Sequence, residues 1–130
     1  MIGVSNMTAE QLSLLCRIAE VRPAFVQNRC YARLGWDRAV RDVCRQQGVS
    51  YQGFSLLTAN VHELEGSLIR GIAKNHGMTI PQTIFRFGNQ LGMVCLTGTT
   101  DPRHMREDLA ALTFEELSQD ELDAIENVSG

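Results

Sequence analysis

The residues with the clearest potential for chemistry lie between Leu91 and Leu112. An apolar run, Met93 to Leu96, precedes a polar turn, Thr97 to Thr100, and the pair Asp101-Pro102 then begins a helix. Free backbone N–H groups and the positive end of the helix dipole meet at such a turn and favour a bound anion. The first helical turn carries three basic side chains: Arg103, His104 and Arg106. The stretch predicts a phosphate site, although an ordinary strand-to-helix connection is the alternative.

Length and composition limit the classes of protein to consider. The chain has 130 residues, 44% of them apolar, which predicts one globular domain over residues 1–130. Its net charge is −3 and its basic residues are scattered, which argues against a nucleic-acid partner. It contains no apolar run of membrane-spanning length, and residue 1 does not begin a signal peptide. We therefore expect a cytoplasmic protein without a membrane partner.

The cysteines do not predict a metal centre. None of the four belongs to a Cys-x-x-Cys pair, and most lie among apolar residues. We expect reduced core thiols and no bound metal. The four are Cys16, Cys30, Cys44 and Cys95.

The spacing of apolar residues predicts short strands that alternate with helices. The predicted strands cover residues 2–5, 24–28, 49–57 and 93–96. The predicted helices cover residues 9–20, 37–47, 62–76, about 80–91, the segment after 102, and 118–127. Three helix starts match a capping box: Thr8 with Gln11, Thr79 with Gln82, and Ser118 with Glu121. The alternation predicts an α/β fold with a parallel sheet, whose site lies at the carboxyl ends of the strands.

Five segments carry a more specific signal when they are taken together. They are Ile-Gly-Val-Ser-Asn (2–6), Val-Gln-Asn (26–28), Tyr-Gln-Gly-Phe-Ser-Leu-Leu (51–57), His-Gly-Met-Thr-Ile-Pro-Gln (76–82) and the stretch from 91 through Glu107-Asp108-Leu109. In this order and spacing they resemble the C-terminal half of an aldo-keto reductase, an enzyme with a (β/α)8 barrel that binds NADPH in extended form. The resemblance implies a parallel (β/α)4 half of a TIM barrel with extra C-terminal helices. It also implies carbonyl reduction by hydride transfer, with NADP as cofactor.

The resemblance implies a set of cofactor-binding residues. Ser5, Asn6 and Gln27 match positions that bind the nicotinamide carboxamide, and amide ligands suit neutral donors and acceptors. Phe54 matches the aromatic residue that stacks on the nicotinamide, although a barrel-core aromatic is the alternative. The pyrophosphate loop is matched by Ser55 and Leu57. The adenosine end is matched by Gly98, Thr99, His104, Glu107 and Asp108.

The adenosine end departs from the family pattern at three positions. Gly98 stands where many members have lysine, His104 where they have arginine, and Asp108 where they have asparagine. Histidine is mostly neutral near pH 7. Arg103 lies one residue away and could substitute for the missing arginine. These changes weaken the expected preference for NADP and leave NAD open.

The residues that catalyse the family's reaction are expected to lie outside this chain. In the family a tyrosine acts as general acid, a lysine lowers its pKa, an aspartate pairs with the lysine, and a histidine orients the substrate. These residues belong to the first half of the barrel, so we predict no catalytic residue here and no activity for the chain alone. The only lysine, Lys74, lies on a predicted helix, away from Tyr31 and Tyr51. We expect His62 and His76 to lie on that helix surface, without a partner that suggests catalysis.

Half a barrel leaves strand edges and one sheet face open. We therefore expect self-association, most simply as a two-fold dimer, or completion by a separate N-terminal half. Two functions remain. The first is the cofactor half of a reductase. The second is a non-enzymatic protein, either a self-associating half-barrel or a truncated product, with residual nucleotide binding.

Overall fold

The chain forms a single parallel sheet with helices between its strands, as a computed structural model of residues 1–130 shows. The strands pair in sequential order: β1 (Gly3–Ser5), β2 (Phe25–Arg29), β3 (Ser50–Phe54) and β4 (Val94–Cys95). The helices are α1 (Ala9–Ile18), α2 (Arg38–Gln47), α3 (Val61–Leu64), α4 (Ser67–His76), α5 (Ile80–Gln90), α6 (Pro102–Ala110) and α7 (Gln119–Glu126). The predicted α/β half-barrel is confirmed.

The register aligns the carboxyl ends of the strands. Ser5 lies opposite Gln27, which lies opposite Gln52, which in turn lies opposite Val94. Right-handed crossovers between neighbouring parallel strands place all their helices on one face. Val26 and the other alternate residues on that face are buried in the core, whereas Gln27 and Gln52 point to the opposite face and are half-buried.

The core extends from the sheet to the last helix. The fully buried Trp36 packs edge-on against Phe87 of α5, with 5.3 Å between ring centroids. Its indole Nε1 donates to the carbonyl of Ile125 in α7 at 2.9 Å. Arg41 of α2 donates to the Trp36 carbonyl at 2.8 Å and pairs with Glu126. The tail helix therefore belongs to the same hydrophobic core.

Two predictions about the segment from 62 to 76 were wrong. The predicted single helix is divided into α3 and α4 at Gly66, whose extended backbone (φ −67°, ψ 156°) caps α4. The break changes the helical phase, so Leu68, predicted to point inward, is exposed, while Ile69 is fully buried. His76, expected on the helix surface without a partner that suggests catalysis, has its Nε2 2.9 Å from the carboxylate of Glu121 and an 18% exposed side chain.

The remaining elements agree with the prediction apart from their ends. All three predicted capping boxes form, at α1, α5 and α7. The four cysteines are free, and only Cys95 is less than fully buried. None of the helices is long and apolar enough to cross a membrane.

Candidate functional site

Three residues matched to the nicotinamide lie side by side where β1 and β2 end. Ser5 is opposite Gln27 in the ladder, and the Asn6 N–H donates to the Gln27 carbonyl at 3.1 Å. The Gln27 amide in turn donates to Gln52 Oε1 at 3.0 Å. Asn6 has φ of 55°, a left-handed conformation that asparagine tolerates better than most residues. The chain therefore turns sharply here and presents neutral donors and acceptors.

A buried polar cluster beneath these residues fixes the loop after β1. Asn28, which is 6% exposed, accepts from the Met7 N–H at 3.0 Å and donates to the Met7 carbonyl at 2.8 Å. Its amide also donates to Asp37 Oδ2 at 2.8 Å, and the Tyr51 hydroxyl donates to the same oxygen at 2.8 Å. This cluster was not predicted from the sequence, although a polar residue at a helix-facing strand position was a signal for it.

Tyr51 is a structural donor in this cluster. Burial raises its pKa far above the ordinary value, and the neighbouring Cys30 thiol and Asp37 carboxylate raise it further. The hydroxyl consequently stays protonated and keeps its hydrogen bond to Asp37. Burial likewise raises the pKa of Cys30 to about 12. Both Tyr51 and Cys30 therefore keep their protons near neutral pH.

The loop after β3 carries the residues matched to the nicotinamide ring and the pyrophosphate. Phe54 is half-buried on the face opposite the helices, and Ser55 adopts φ of 57°. Asn60, 1% exposed, holds the loop by donating to the carbonyls of Leu56 at 2.8 Å and Cys30 at 2.9 Å. The Leu57 N–H has no acceptor in the chain. This loop is therefore rigidly anchored and retains a free backbone donor.

Arg29 is a neighbour of Phe54 that the sequence analysis did not identify. The guanidinium carbon lies 5.5 Å from the centroid of the Phe54 ring, within the range of a cation–π contact. The two residues are opposite each other in the register of β2 and β3, and register is invisible in the sequence. Arg29 is exposed, so its side chain is able to move off the ring.

The turn after β4 is tied to α6 by its own side chains. Thr97 Oγ1 donates to Asp108 Oδ2 at 2.8 Å, and Asp101 accepts from the Arg103 N–H at 2.7 Å as the helix cap. His104 Nδ1 lies 3.9 Å from Asp101 Oδ2, and its side chain is 51% exposed. The Gly98 N–H has no acceptor in the chain. The N–H groups of Thr97, Thr99 and Thr100 also lack an acceptor, so a phosphate here would have several free backbone donors but would share the helix terminus with Asp101.

Two adjoining clefts connect these loops. One, of about 350 Å³, is lined by residues 54–58 together with Phe85, Leu96, Thr97 and Gly98. The other, of about 630 Å³, shares Phe85, Thr97 and Gly98 and continues past Thr99 and Asp108 along α6. The structure thus brings Phe54, Ser55, Leu57 and Gly98 to one cleft and Thr99 and Asp108 to its extension. Five of the predicted residues line neither cleft: Ser5, Asn6, Gln27, His104 and Glu107.

Comparison with known proteins identifies the family. The sequence profile of the Aldo/keto reductase family matches residues 1–129. The chain belongs to this family. It is 30% identical over 125 residues to the glyoxal reductase of Bacillus subtilis, covering 96% of this chain and 44% of that protein. It is 30% identical over 140 residues to the "Probable NAD(P)H-dependent D-xylose reductase" of Emericella nidulans, covering 98% and 43%. The chain thus spans less than half the length of these relatives.

Solved structures of aldo-keto reductases show the same arrangement of elements. An aldo-keto reductase from a deep-sea metagenome library superposes with a TM-score of 0.87 at 22% identity, over 99% of this chain and 48% of that one. The aldose reductase of Schistosoma japonicum superposes with a TM-score of 0.86 at 20% identity, over 98% and 41%. This aldo-keto reductase chain therefore has the fold of about half of the barrel.

Proposed function

We propose that this chain forms the dinucleotide-binding half of an NADP(H)-linked carbonyl reductase. The observation that carries the proposal is that two loops far apart in sequence, residues 54–58 and 96–98, line one cleft at the carboxyl ends of β3 and β4. Carboxyl-terminal strand ends are where (β/α) barrels build their sites. Family membership and the NAD(P)H named for a relative support a nicotinamide nucleotide as the occupant.

The residues in and beside the clefts fit such a nucleotide. Ser5, Asn6 and Gln27 offer amide and hydroxyl groups to the carboxamide, and the Phe54 ring offers a stacking surface once Arg29 moves aside. The free N–H groups of Leu57 and Gly98 are available to phosphate oxygens. Bound there, the nucleotide would supply a hydride.

We propose that the adenosine end of the nucleotide contacts the turn after β4 and the helix α6. Thr99 and Asp108 line the extension of the cleft, and His104 and Glu107 lie beside it on α6. Asp101 and Asp108 are anionic neighbours that reduce attraction for a further phosphate on the ribose. We therefore expect NADPH to have little advantage over NADH.

We propose that the acid chemistry is supplied by residues outside these 130. Lys74 is exposed near the end of α4 and lines neither cleft. Tyr51 is held by Asp37, and the Tyr31 ring lies under the Arg33 guanidinium, 4.5 Å from the ring centroid. The chain thus offers no tyrosine–lysine pair at the carboxyl edge, and we expect no reductase activity from it alone.

A non-enzymatic half-barrel is the second candidate. The observation in its favour is the uncovered apolar surface at both ends of the sheet, where Val94 is 45% and Ile2 is 53% exposed. Such surfaces are typical of interfaces. In this case nucleotide binding would be residual.

Calorimetric titration with NADPH and with NADH tests the proposed function. We expect micromolar binding of both. Gly98→Asp should weaken binding by about tenfold (~1.4 kcal/mol), because a carboxylate enters the phosphate turn where a side chain has open space. Asn75→Asp, which adds the same charge on the exposed surface of α4, is the control and should leave binding unchanged. A folded sample that gives no heat with either nucleotide would refute the proposal.

A further inference from the structure

Three consecutive residues between β2 and α2 adopt a left-handed backbone conformation. Gly35, Trp36 and Asp37 have φ of 61°, 57° and 59°. Glycine takes this conformation freely, whereas a residue as bulky as tryptophan is a genuine outlier there. Strained backbone persists only where surrounding contacts fix it, and it is concentrated at functional sites. The contacts around residues 35–37, which we call the left-handed turn, therefore indicate what the turn positions.

The last residues of α7 hold the left-handed turn from one side. The fully buried indole of Trp36 donates through Nε1 to the Ile125 carbonyl at 2.9 Å. Arg41, which is 3% exposed, donates to the carbonyls of Trp36 at 2.8 Å and Gly35 at 3.0 Å. The same guanidinium pairs with Glu126 of α7. Because a buried guanidinium is costly without a counter-charge, Glu126 keeps Arg41 in place over the turn.

The Asp37 side chain leaves the left-handed turn on the other side, toward the sheet. Asp37 is the N-cap residue of α2, and an aspartate there ordinarily has extended backbone and accepts a hydrogen bond from the first turn of the helix. Here it makes no capping bond. Its Oδ2 instead accepts from Asn28 Nδ2 and from the Tyr51 hydroxyl, each at 2.8 Å. The left-handed backbone thus directs the carboxylate to β2 and β3 and leaves the helix start uncapped.

Asn28 connects Asp37 to the loop after β1. Its amide holds both backbone groups of Met7, the N–H at 3.0 Å and the carbonyl at 2.8 Å. A carboxylate only accepts hydrogen bonds, so Asp37 fixes which end of the Asn28 amide carries the nitrogen. Met7 directly follows Asn6, whose φ of 55° is also left-handed. Asn6 is therefore held between two anchored neighbours, Ser5 in the β1–β2 ladder and Met7 on Asn28.

We propose that Asp37 is a positioning residue for Ser5 and Asn6, and that α7 aims it by holding the left-handed turn. Docking of the tail helix then sets the affinity of the carboxamide-binding end of the site, although α7 lines neither cleft at that site. This inference rests on the proposed function for what Ser5 and Asn6 bind. The contacts from α7 to Met7 do not involve the nucleotide, so they are testable without it.

Hydrogen exchange of the Met7 backbone amide, followed by NMR, tests these contacts in the absence of nucleotide. Asp37→Asn removes the charge but keeps a residue that tolerates left-handed backbone as well as aspartate does. Glu126→Gln removes the charge at the α7 end of the same set of contacts. Each should speed exchange at Met7 by at least about fivefold, because hydrogen bonds to charged groups are stronger than those to neutral ones. The Met93 N–H, which donates to a carbonyl of α5 at 2.9 Å outside these contacts, should keep its rate.

Calorimetric titration of the same variants with NADPH tests the consequence for binding. Asp37→Asn and Glu126→Gln should each weaken binding by at least about threefold, because the residues that they move are one or more contacts away from the nucleotide. Asp123→Asn is the matched control, since it removes an exposed carboxylate from the middle of α7 that does not contact the left-handed turn. It should leave both the Met7 exchange rate and the NADPH affinity unchanged.

The positioning role and the proposed function fail on different measurements. A parent chain that gives no heat with NADPH would remove the nucleotide site, and Met7 exchange would still decide whether Asp37 fixes the loop. Unchanged Met7 exchange in either folded variant would overturn the positioning role. So would an equal acceleration at Met93, which would show general loosening, or an equal effect of Asp123→Asn. If the parent binds NADPH, an unaltered affinity of Asp37→Asn would overturn it as well.

Discussion

Arg29 lies over the face of Phe54 on which a nicotinamide ring would stack in the proposed site. The guanidinium lies 5.5 Å from the ring centroid, so a nucleotide that stacks on Phe54 must displace it. Both residues lie at strand ends, where side chains have room to rearrange without altering the ladder. The proposed stacking surface on Phe54 is therefore free only when the exposed Arg29 side chain moves.

Phe54→Ala should weaken NADPH binding by about fivefold, because aromatic stacking contributes about 1 kcal/mol. Phe25→Ala is the matched control: Phe25 lies on the same sheet face, at the opposite end of its strand. Calorimetry with both variants measures the difference. Equal affinities for the two variants would show that Phe54 does not touch the nucleotide.

The ionisation of Glu121 makes the free energy of unfolding depend on pH. Desolvation raises its pKa, but hydrogen bonds from Ser118 and His76 outweigh that effect and bring the pKa below its ordinary 4.5. A lowered pKa gives a contribution to the free energy of unfolding that is complete above about pH 5 and is lost as the pH falls through the folded value. The pair joins α4 to α7, so its loss loosens the tail helix.

Glu121→Gln should lower the free energy of unfolding by about 0.5–1 kcal/mol at neutral pH, because the amide keeps the capping geometry but not the charge. As the pH falls below the lowered pKa of Glu121 in the folded chain, the variant and the parent should converge. Urea unfolding at several pH values measures this. Asp120→Asn is the control, a neighbouring exposed carboxylate in the same helix turn. A difference that persists unchanged at low pH would contradict this account.

Interactions between residues that are close in sequence were predictable, and interactions between residues far apart in sequence were not. The capping boxes at Thr8, Thr79 and Ser118 join residues three apart, so their sequence pattern is sufficient. The bond from Tyr51 to Asp37 depends on how β3 lies beside β2, and the pair of His76 with Glu121 depends on where α7 docks. Those partners become visible only with the tertiary structure.

At the level of elements, the contact between α5 and β4 is unusually close. A methyl group added at Gly88 of α5 would overlap Sγ of Cys95 in β4, with Met93 close by. Cys95 in turn lines the cleft beside the phosphate turn. Glycine at position 88 therefore sets the depth at which β4 sits and, through it, the position of Thr97 and Gly98.

Gly88→Ala should destabilise the chain by about 1–2 kcal/mol, whereas alanine in place of helical glycine is ordinarily stabilising by about 1 kcal/mol. Gly71→Ala provides the matched control, because Gly71 is also within a helix and a methyl there meets nothing within 4 Å. Thermal unfolding should therefore shift in opposite directions. If both variants gained stability, Cys95 would have rotated without cost and the close packing would not restrict β4.

Element boundaries were predicted less well than element types. The interruption between α3 and α4 was missed because Glu65 and Gly66 fit a helical pattern and a single glycine does not force a break. The strands were predicted longer than observed: residues 49–57 reduce to Ser50–Phe54, since Ser55 takes a left-handed conformation that ends the ladder. That turn is what exposes the loop of the candidate site.

For the whole molecule, the central question is whether the strand ends act as one site. Phe54, Ser55 and Leu57 line one cleft with Gly98 of the turn after β4, whereas Ser5, Asn6 and Gln27 lie outside both clefts. The candidate site was predictable as a set of matched residues only through resemblance. The structure was needed to show how buried the site is, that Arg29 lies over Phe54, and that Asp101 caps α6.

The most direct test is to follow backbone amide resonances of the labelled chain by NMR during addition of NADPH. We predict that Ser5, Asn6, Gln27, Phe54 and Gly98 shift together, with one common dissociation constant, while Lys74 on α4, which lines neither cleft, stays unchanged. Unperturbed strand-end resonances, or shifts confined to other surfaces, would contradict the assignment of this edge as a dinucleotide site.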